Sequence, residues 1–173
     1  MIVYRVAPRE GGQDLDRSIH VGLPPVGRRQ SGPWVPFDVE LVSRRGRRAL
    51  EPVDAMRVNG DFLVVKDAAL PRVERELAPY VEFLPLRCAQ EPLTMLNVLQ
   101  VADALDEEES QIKRFRDGGI MRVDRFVFRP EAVPTAGLFR VPQSMVHMLC
   151  AQDTADMLRD RLAGLDLEPL WEG

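Results

Sequence analysis

Apolar positions fall into short blocks whose spacing changes along the chain. Phe62-Leu63-Val64-Val65 is a continuous run of buried-strand length, and Asp67 follows as an N-cap ahead of Leu70, Val73 and Leu77 at helical spacing. Pro71 falls in the first turn of that helix, where a missing N–H is best tolerated, and Pro79 ends it before Val81-Glu82-Phe83-Leu84-Pro85-Leu86 resumes an extended pattern. A similar order recurs near the end. Val146 to Cys150 predicts a strand, Asp153 a cap, Met157, Leu158 and Leu162 an apolar helix face, Gly164 its stop, and Leu165-Asp166-Leu167 an alternating strand. Leu77-Ala78-Pro79-Tyr80 before the first closing strand echoes Leu162-Ala163-Gly164-Leu165 before the second, so two similar strand-helix-strand units are expected.

Between them, Met95, Val98, Leu99, Ala102 and Leu105 fit a helical face, but Leu96 and Val101 spoil it, and β-branched content favours a doubly buried strand. Asp117-Gly118-Gly119 reads as a turn, Ile120 to Phe128 as an alternating strand, and Leu138-Phe139-Arg140-Val141 as a short one. The amino-terminal part differs. Gly11-Gly12 and the segment from Gly22 to Pro36 hold too many glycines and prolines for helix or central strand. Val39 to Val42, the turn-like Arg44-Arg45-Gly46-Arg47 and Ala49 to Val53 predict a β-hairpin with an arginine-loaded tip. The class is therefore α+β: a mixed or antiparallel sheet with two or more helices, a loop-rich β region over residues 1–60, and an α+β core over 61–173, together one compact unit.

Composition narrows the function classes. At 173 residues the chain can bury roughly 70% of its unfolded surface and needs no metal or disulfide staple. A net charge of -4 argues against a general nucleic-acid binder, whose affinity rests on clustered positive charge. The charge is uneven: residues 1–60 hold ten arginines against seven carboxylates, so the acid excess lies in the remainder. Cys88 and Cys150 are too few and too separated for a disulfide framework or zinc site, which suits a reducing compartment. The apolar start Met1 to Val6 breaks at Ala7-Pro8-Arg9-Glu10, short of a secretory leader, and no apolar run nears the roughly 18 residues that cross a bilayer. A cytoplasmic protein without membrane contact is expected.

The sharpest local feature is acidic. Asp103, Asp106, Glu107, Glu108 and Glu109 place five carboxylates within seven residues, enough to steer a basic partner, although such runs are commonly solvated surface. A calcium loop needs alternating oxygen ligands with a glycine midway, which this run lacks. The arginines at 44, 45, 47 and 48 suit oxyanions but carry no interleaved aromatic platform, and a solubilising edge is the plainer account. His147 and Cys150, three apart on a strand, point to opposite faces and make no nucleophilic pair. His20 has no spaced Cys or His beside it, and neither glycine pair matches a nucleotide-binding fingerprint. The residues thus point to no catalytic site, no metal and no cofactor.

Several segments, taken in order, resemble the bacterial polymorphic-toxin immunity protein family eleven, formerly a domain of unknown function. They are Val64-Val65 with its following helix, Val81 to Leu86, Leu96-Asn97-Val98-Leu99 leading to Asp103-Ala104-Leu105-Asp106 and Ser110, Gly119-Ile120-Met121, Leu138-Phe139-Arg140, and the last helix before Gly164-Leu165. The likeness covers about the last two thirds of the chain, and only the ordered set is specific. It implies a non-catalytic cytoplasmic inhibitor, encoded beside a toxin whose active face it occludes. The family pattern fixes no toxin-contacting residues, since Phe83, Leu84, Pro85, Leu105 and Phe139 read as fold determinants. Contact is expected instead from the acidic run, facing a toxin with a basic surface, and from Trp34 and Trp171 as anchors. A scaffold or regulator outside toxin immunity is the alternative, and an enzyme with an unrecognised site the third.

Overall fold

Two sheets meet across a shared apolar layer. The fold, from a computed structural model, is described over residues 1–16, 23–58 and 62–173; His20 and Gly22 lie outside them. The longer strands are β1 (Ile2–Pro8), β2 (Ala55–Val58), β3 (Phe62–Lys66), β4 (Val81–Cys88), β5 (Leu93–Val98), β6 (Gln111–Arg114), β7 (Ile120–Arg125), β8 (Phe139–Val141), β9 (Ser144–Ala151) and β10 (Leu165–Glu172). The helices are α1 (Glu74–Leu77) and α2 (Gln152–Arg161). The first sheet runs β8-β9-β1-β10, all antiparallel. The second runs from the two-residue strand Asp38–Val39 through β4, β5 and β3 to β2, antiparallel except where Asp38–Val39 lies parallel to β4. The protein is mainly sheet with few helices, a mixed α+β architecture.

Alternation along the strands explains three apolar clusters. Leu63, Val65, Leu96 and Val98 face Tyr4, Val6, Met148 and Cys150 of the first sheet, and Leu77, Ala155 and Leu158 of the helices close this middle layer. Their neighbours Val64, Met56, Met95 and Leu84 face the other way, under Leu15, Trp34 and Phe37 of the amino-terminal loops. Val3, Phe139, Val141 and Leu149 face outward from the first sheet and are covered by Leu105, Val123, Phe126 and Phe128. All six residues of β5 are consequently buried, as expected of a central strand with both faces covered. Its one amide is satisfied in part: Asn97 Nδ2 donates to the carbonyl of Arg28 at 2.7 Å and to Glu82 at 3.3 Å, pinning the amino-terminal loop to the sheet.

Several elements depart from the sequence-based expectation. The expected strand over Leu93 to Leu105 stops at Val98, and Val101 and Leu105 form only isolated bridges, to Arg140 and Phe128. The helix expected after Asp67 is a 3-10 turn (Leu70–Arg72) followed by the single turn α1, and Asp67 does not cap it; its Oδ1 accepts the hydroxyl of Thr94 at 2.7 Å instead. Asp153 is no cap either, since the residue before α2 is Ala151, with no side-chain cap bond. The arginine hairpin forms, but as two-residue strands, Arg44–Arg45 against Arg48–Ala49, while Leu41–Val42 pairs with Asp14–Leu15. The strand expected to reach Phe128 ends at Arg125. Met1 to Val6, unassigned above, supplies β1, which lies between strands from the chain's far end, so pairing crosses the boundary expected at residue 60.

Gly164 behaves as a stop for a steric reason. Its φ is +97°, and a Cβ there would lie 2.3 Å from Cβ of Val53, so only glycine lets the end of α2 enter β10 this close to the second sheet.

Candidate functional site

The acidic run is built on the outer face of the first sheet. After β5 the chain crosses to that sheet: the Ala102 amide donates to the Arg140 carbonyl at 2.8 Å, and Ala104 and Leu105 are wholly buried in the cluster with Phe128. Burial of these two apolar residues leaves Asp103 exposed before them and Asp106 half-buried after them. Asp106 then closes the next turn, because its Oδ1 accepts the amides of Glu108 at 3.0 Å and Glu109 at 3.1 Å. Ser110 ties the end of the run to the segment after β7 (Ile120–Arg125) by bonding both ways with the backbone of Val127. The two-stranded arm β6–β7 follows.

Asp103, Asp106, Glu107 and Glu108 line one open hollow of about 450 Å³, with Leu105 as its floor and Arg129 and Gln143 in its wall. The carboxylates are not equally available. Arg129 donates to the carbonyls of Leu105 and Asp103 and lies 3.3 Å from Asp103 Oδ2. Glu107 accepts Gln143 Nε2 at 2.8 Å and Arg114 Nη2 at 2.6 Å, and these bonds, that of Gln143 foremost, hold its carboxyl below the usual carboxylate range. The Arg125 guanidinium reaches the Glu109 carbonyl at 2.7 Å. Glu108 and Glu109 are exposed, and neither carboxylate has an ion pair among the described residues. Three guanidinium groups therefore brace the segment, and its outward negative charge is concentrated at 108 and 109.

The tryptophans sit apart from one another. Trp171 is half-buried in the cluster that anchors Leu105, edge-on to Phe128 at 5.7 Å. Trp34 is half-buried on the other sheet, donating its Nε1 to the Pro85 carbonyl at 2.7 Å and packing edge-on to Phe37. Asp103, Asp106, Glu107, Glu108 and Trp171 thus share one side of the molecule, with Glu109 at the rim, while Trp34 belongs to another. Sequence reasoning missed the apolar residues that do face solvent beside the acidic run. Phe115 and Met121, 52% and 50% exposed, mark the end of the β6–β7 arm, and Arg114 of that arm is the residue bound to Glu107. Their only sequence signal was an apolar residue on each side of the Asp117-Gly118-Gly119 turn.

A close Ser–His contact was also missed. Ser144 Oγ lies 2.6 Å from His147 Nδ1, three residues apart near a turn where the β8–β9 register shifts and strict alternation fails. Burial first, then the cations of Arg5, Arg57 and Arg140, push the imidazole below its ordinary value, so it is neutral at pH 7. Its ring stands edge-on to Phe126 at 5.6 Å. Cys150 lies elsewhere in the middle layer, and burial pushes its thiol up to about 12, which keeps it protonated and unreactive. Among the described residues no group of three His, Cys, Asp or Glu could hold a metal ion, and no helix is long and apolar enough to cross a membrane. No protein-family model matches the chain, and no curated protein matches it.

Proposed function

We propose that this protein acts by stoichiometric binding to a protein partner with a basic surface, and that the partner is a bacterial toxin whose active face it covers. The observation that carries this reading is the division of labour in the acidic run. Asp106, Asp103 and Glu107 fix the turn, so that Glu108 and Glu109 project without an internal partner among the described residues, while the arm joined to Glu107 through Arg114 exposes Phe115 and Met121 at its end. Charge for steering beside apolar area for burial is the usual make-up of a specific interface. Trp171 supports the acidic segment from below rather than entering the partner, and Trp34 is an anchor only for a partner that also spans the second sheet. The reading is non-catalytic and cytoplasmic.

The fold supports a related inference. β3 and β4 are both antiparallel to β5, which lies between them, and β9 and β10 are both antiparallel to β1. We read β3–α1–β4 and β9–α2–β10 as two versions of one strand-helix-strand unit, with the first helix reduced to broken turns.

The test is co-expression with the product of the neighbouring gene in its native genome, scored as rescue of growth, with association kinetics of the purified pair. Rescue is expected, and the double variant Glu108→Lys, Glu109→Lys should slow association and flatten its dependence on salt. Rescue with unchanged kinetics removes the acidic run from the mechanism. Binding to the gene product without any toxicity to relieve makes the protein a scaffold or regulator instead.

A further inference from the structure

The opposite charge gathers at another place. Beyond β1 the chain turns through Gly11-Gly12, fixed by the Glu51 amide donating to Gly11 at 3.0 Å and the Gln13 amide to Glu51 at 2.8 Å. The arginine hairpin folds against this turn. The result is a hollow of about 380 Å³ walled by Arg9, Arg45, Arg48 and Arg57, with Glu10 and Asp14 as its carboxylates. This volume is within the range of small-ligand sites.

Three of the four guanidinium groups are held in place. Arg45 Nη2 donates to Asp14 Oδ2 at 2.8 Å, Arg9 lies 3.6 Å from Asp166, and Arg57 is engaged within the protein. Arg48 is exposed and has no ion pair among the described residues. Its Nη2 sits 3.4 Å from the point where a Cβ on Gly11 would lie, and Gly11 has φ +84°, so the glycine both permits the turn and leaves the guanidinium room against the backbone. One free fork beside three fixed ones, in a partly enclosed hollow, is a ready receptor for an oxyanion.

We propose that this hollow binds a small phosphate-bearing ligand, with Arg48 taking two phosphoryl oxygens and the fixed arginines walling the hollow around them. With Arg45 paired to Asp14 and Arg9 to Asp166, Arg48 is left to offer its paired N–H donors, which match two oxygens of a phosphoryl group. A volume larger than one ion requires leaves space for the rest of a phosphomonoester. The site shares no residue with the acidic run and stands whether or not the partner is a toxin.

Calorimetric titration of the full chain tests this, with inorganic phosphate in one arm and glycerol 3-phosphate in the other. Saturable binding is expected in at least one arm; a tighter second arm identifies a phosphorylated metabolite, and equal arms identify phosphate itself. Arg48→Gln should weaken binding about tenfold or more, the usual loss for a charge-assisted pair. Arg47→Gln, which removes the same charge from the same hairpin outside the hollow, should leave binding within about twofold if the fork geometry matters. No saturable heat in either arm overturns the proposal, as does equal weakening by the two variants, which would mean diffuse charge only. Both residues are exposed, and an unchanged melting temperature confirms that each variant is folded.

Discussion

The carboxylate hollow and the arginine hollow have similar volumes, about 450 and 380 Å³, but are held by different means. Backbone braces the first: Arg129 binds two carbonyls, Asp106 binds two amides, and Leu105 is sunk beneath them. Side-chain ion pairs brace the second, Arg45 with Asp14 and Arg9 with Asp166, over a glycine turn. The contrast shows that a count of charges in a sequence run overstates the field it makes. Acids that set local geometry are offset by that work, and the charges left without an internal partner among the described residues are Glu108 and Glu109 in one hollow's segment and Arg48 in the other.

The largest expected effect removes what the two hollows share. Leu96 is wholly buried in the layer between the sheets, and Leu96→Ala should cost about 3 kcal/mol in chemical denaturation by the lost burial and the cavity left behind. Both hollows should fail in one cooperative transition; separate transitions would mean that they sit on independent units.

Next in size is a change that separates them. Arg129→Ala removes the bonds to the Asp103 and Leu105 carbonyls and should cost about 1–2 kcal/mol. Amide exchange should quicken over residues 103–109 while phosphate binding at the arginine hollow is unchanged. Asp106→Ala, which frees the Glu108 and Glu109 amides, should act in the same place with a loss of about 1 kcal/mol, comparable to a lost helix cap.

A pH effect tests how far the arginine pole reaches. Arg57 lines the arginine hollow and is also among the cations that disfavour a charged His147. The folded state prefers the neutral ring, so the unfolded chain takes up the proton first. Stability should therefore fall as pH drops through the ordinary histidine value of 6.5, and level off below the folded-state value. Denaturation midpoints between pH 7.5 and 5, compared with those of His147→Gln, isolate this contribution; an identical slope in the variant assigns the loss to other groups.

Local patterns were legible in the sequence and long-range ones were not. β3 and α2 were readable because the run Phe62 to Val65 and the apolar pair Met157 and Leu158 are signals within one element. Asp67 misled because its carboxylate is claimed by Thr94, 27 residues away, and a cap is only one of the bonds an aspartate can choose. β1 was missed because nothing in Met1 to Val6 says that strands from the far end of the chain will enclose it. The acidic residues were visible as a run, but the partners that neutralise Asp103 and Glu107 come from Arg129, Gln143 and Arg114 beyond it. Likewise the arginine hairpin was expected, while the Gly11-Gly12 turn beneath it lies more than thirty residues upstream.

The smallest expected effect on stability is the most informative about function. Glu108→Lys and Glu109→Lys touch exposed side chains whose backbone amides, not carboxylates, hold the turn, so each should change stability by less than about 0.5 kcal/mol. Association with a basic partner should nevertheless slow, because steering acts before contact and depends on the charge that reaches solvent. The slope of the association rate against ionic strength should flatten in the double variant and be nearly unchanged in Glu107→Gln, whose carboxylate is already offset by Arg114. If Glu107→Gln flattens the slope as much as the double reversal does, paired and unpaired carboxylates contribute alike, and the acidic pole works by total charge rather than by what its geometry leaves free.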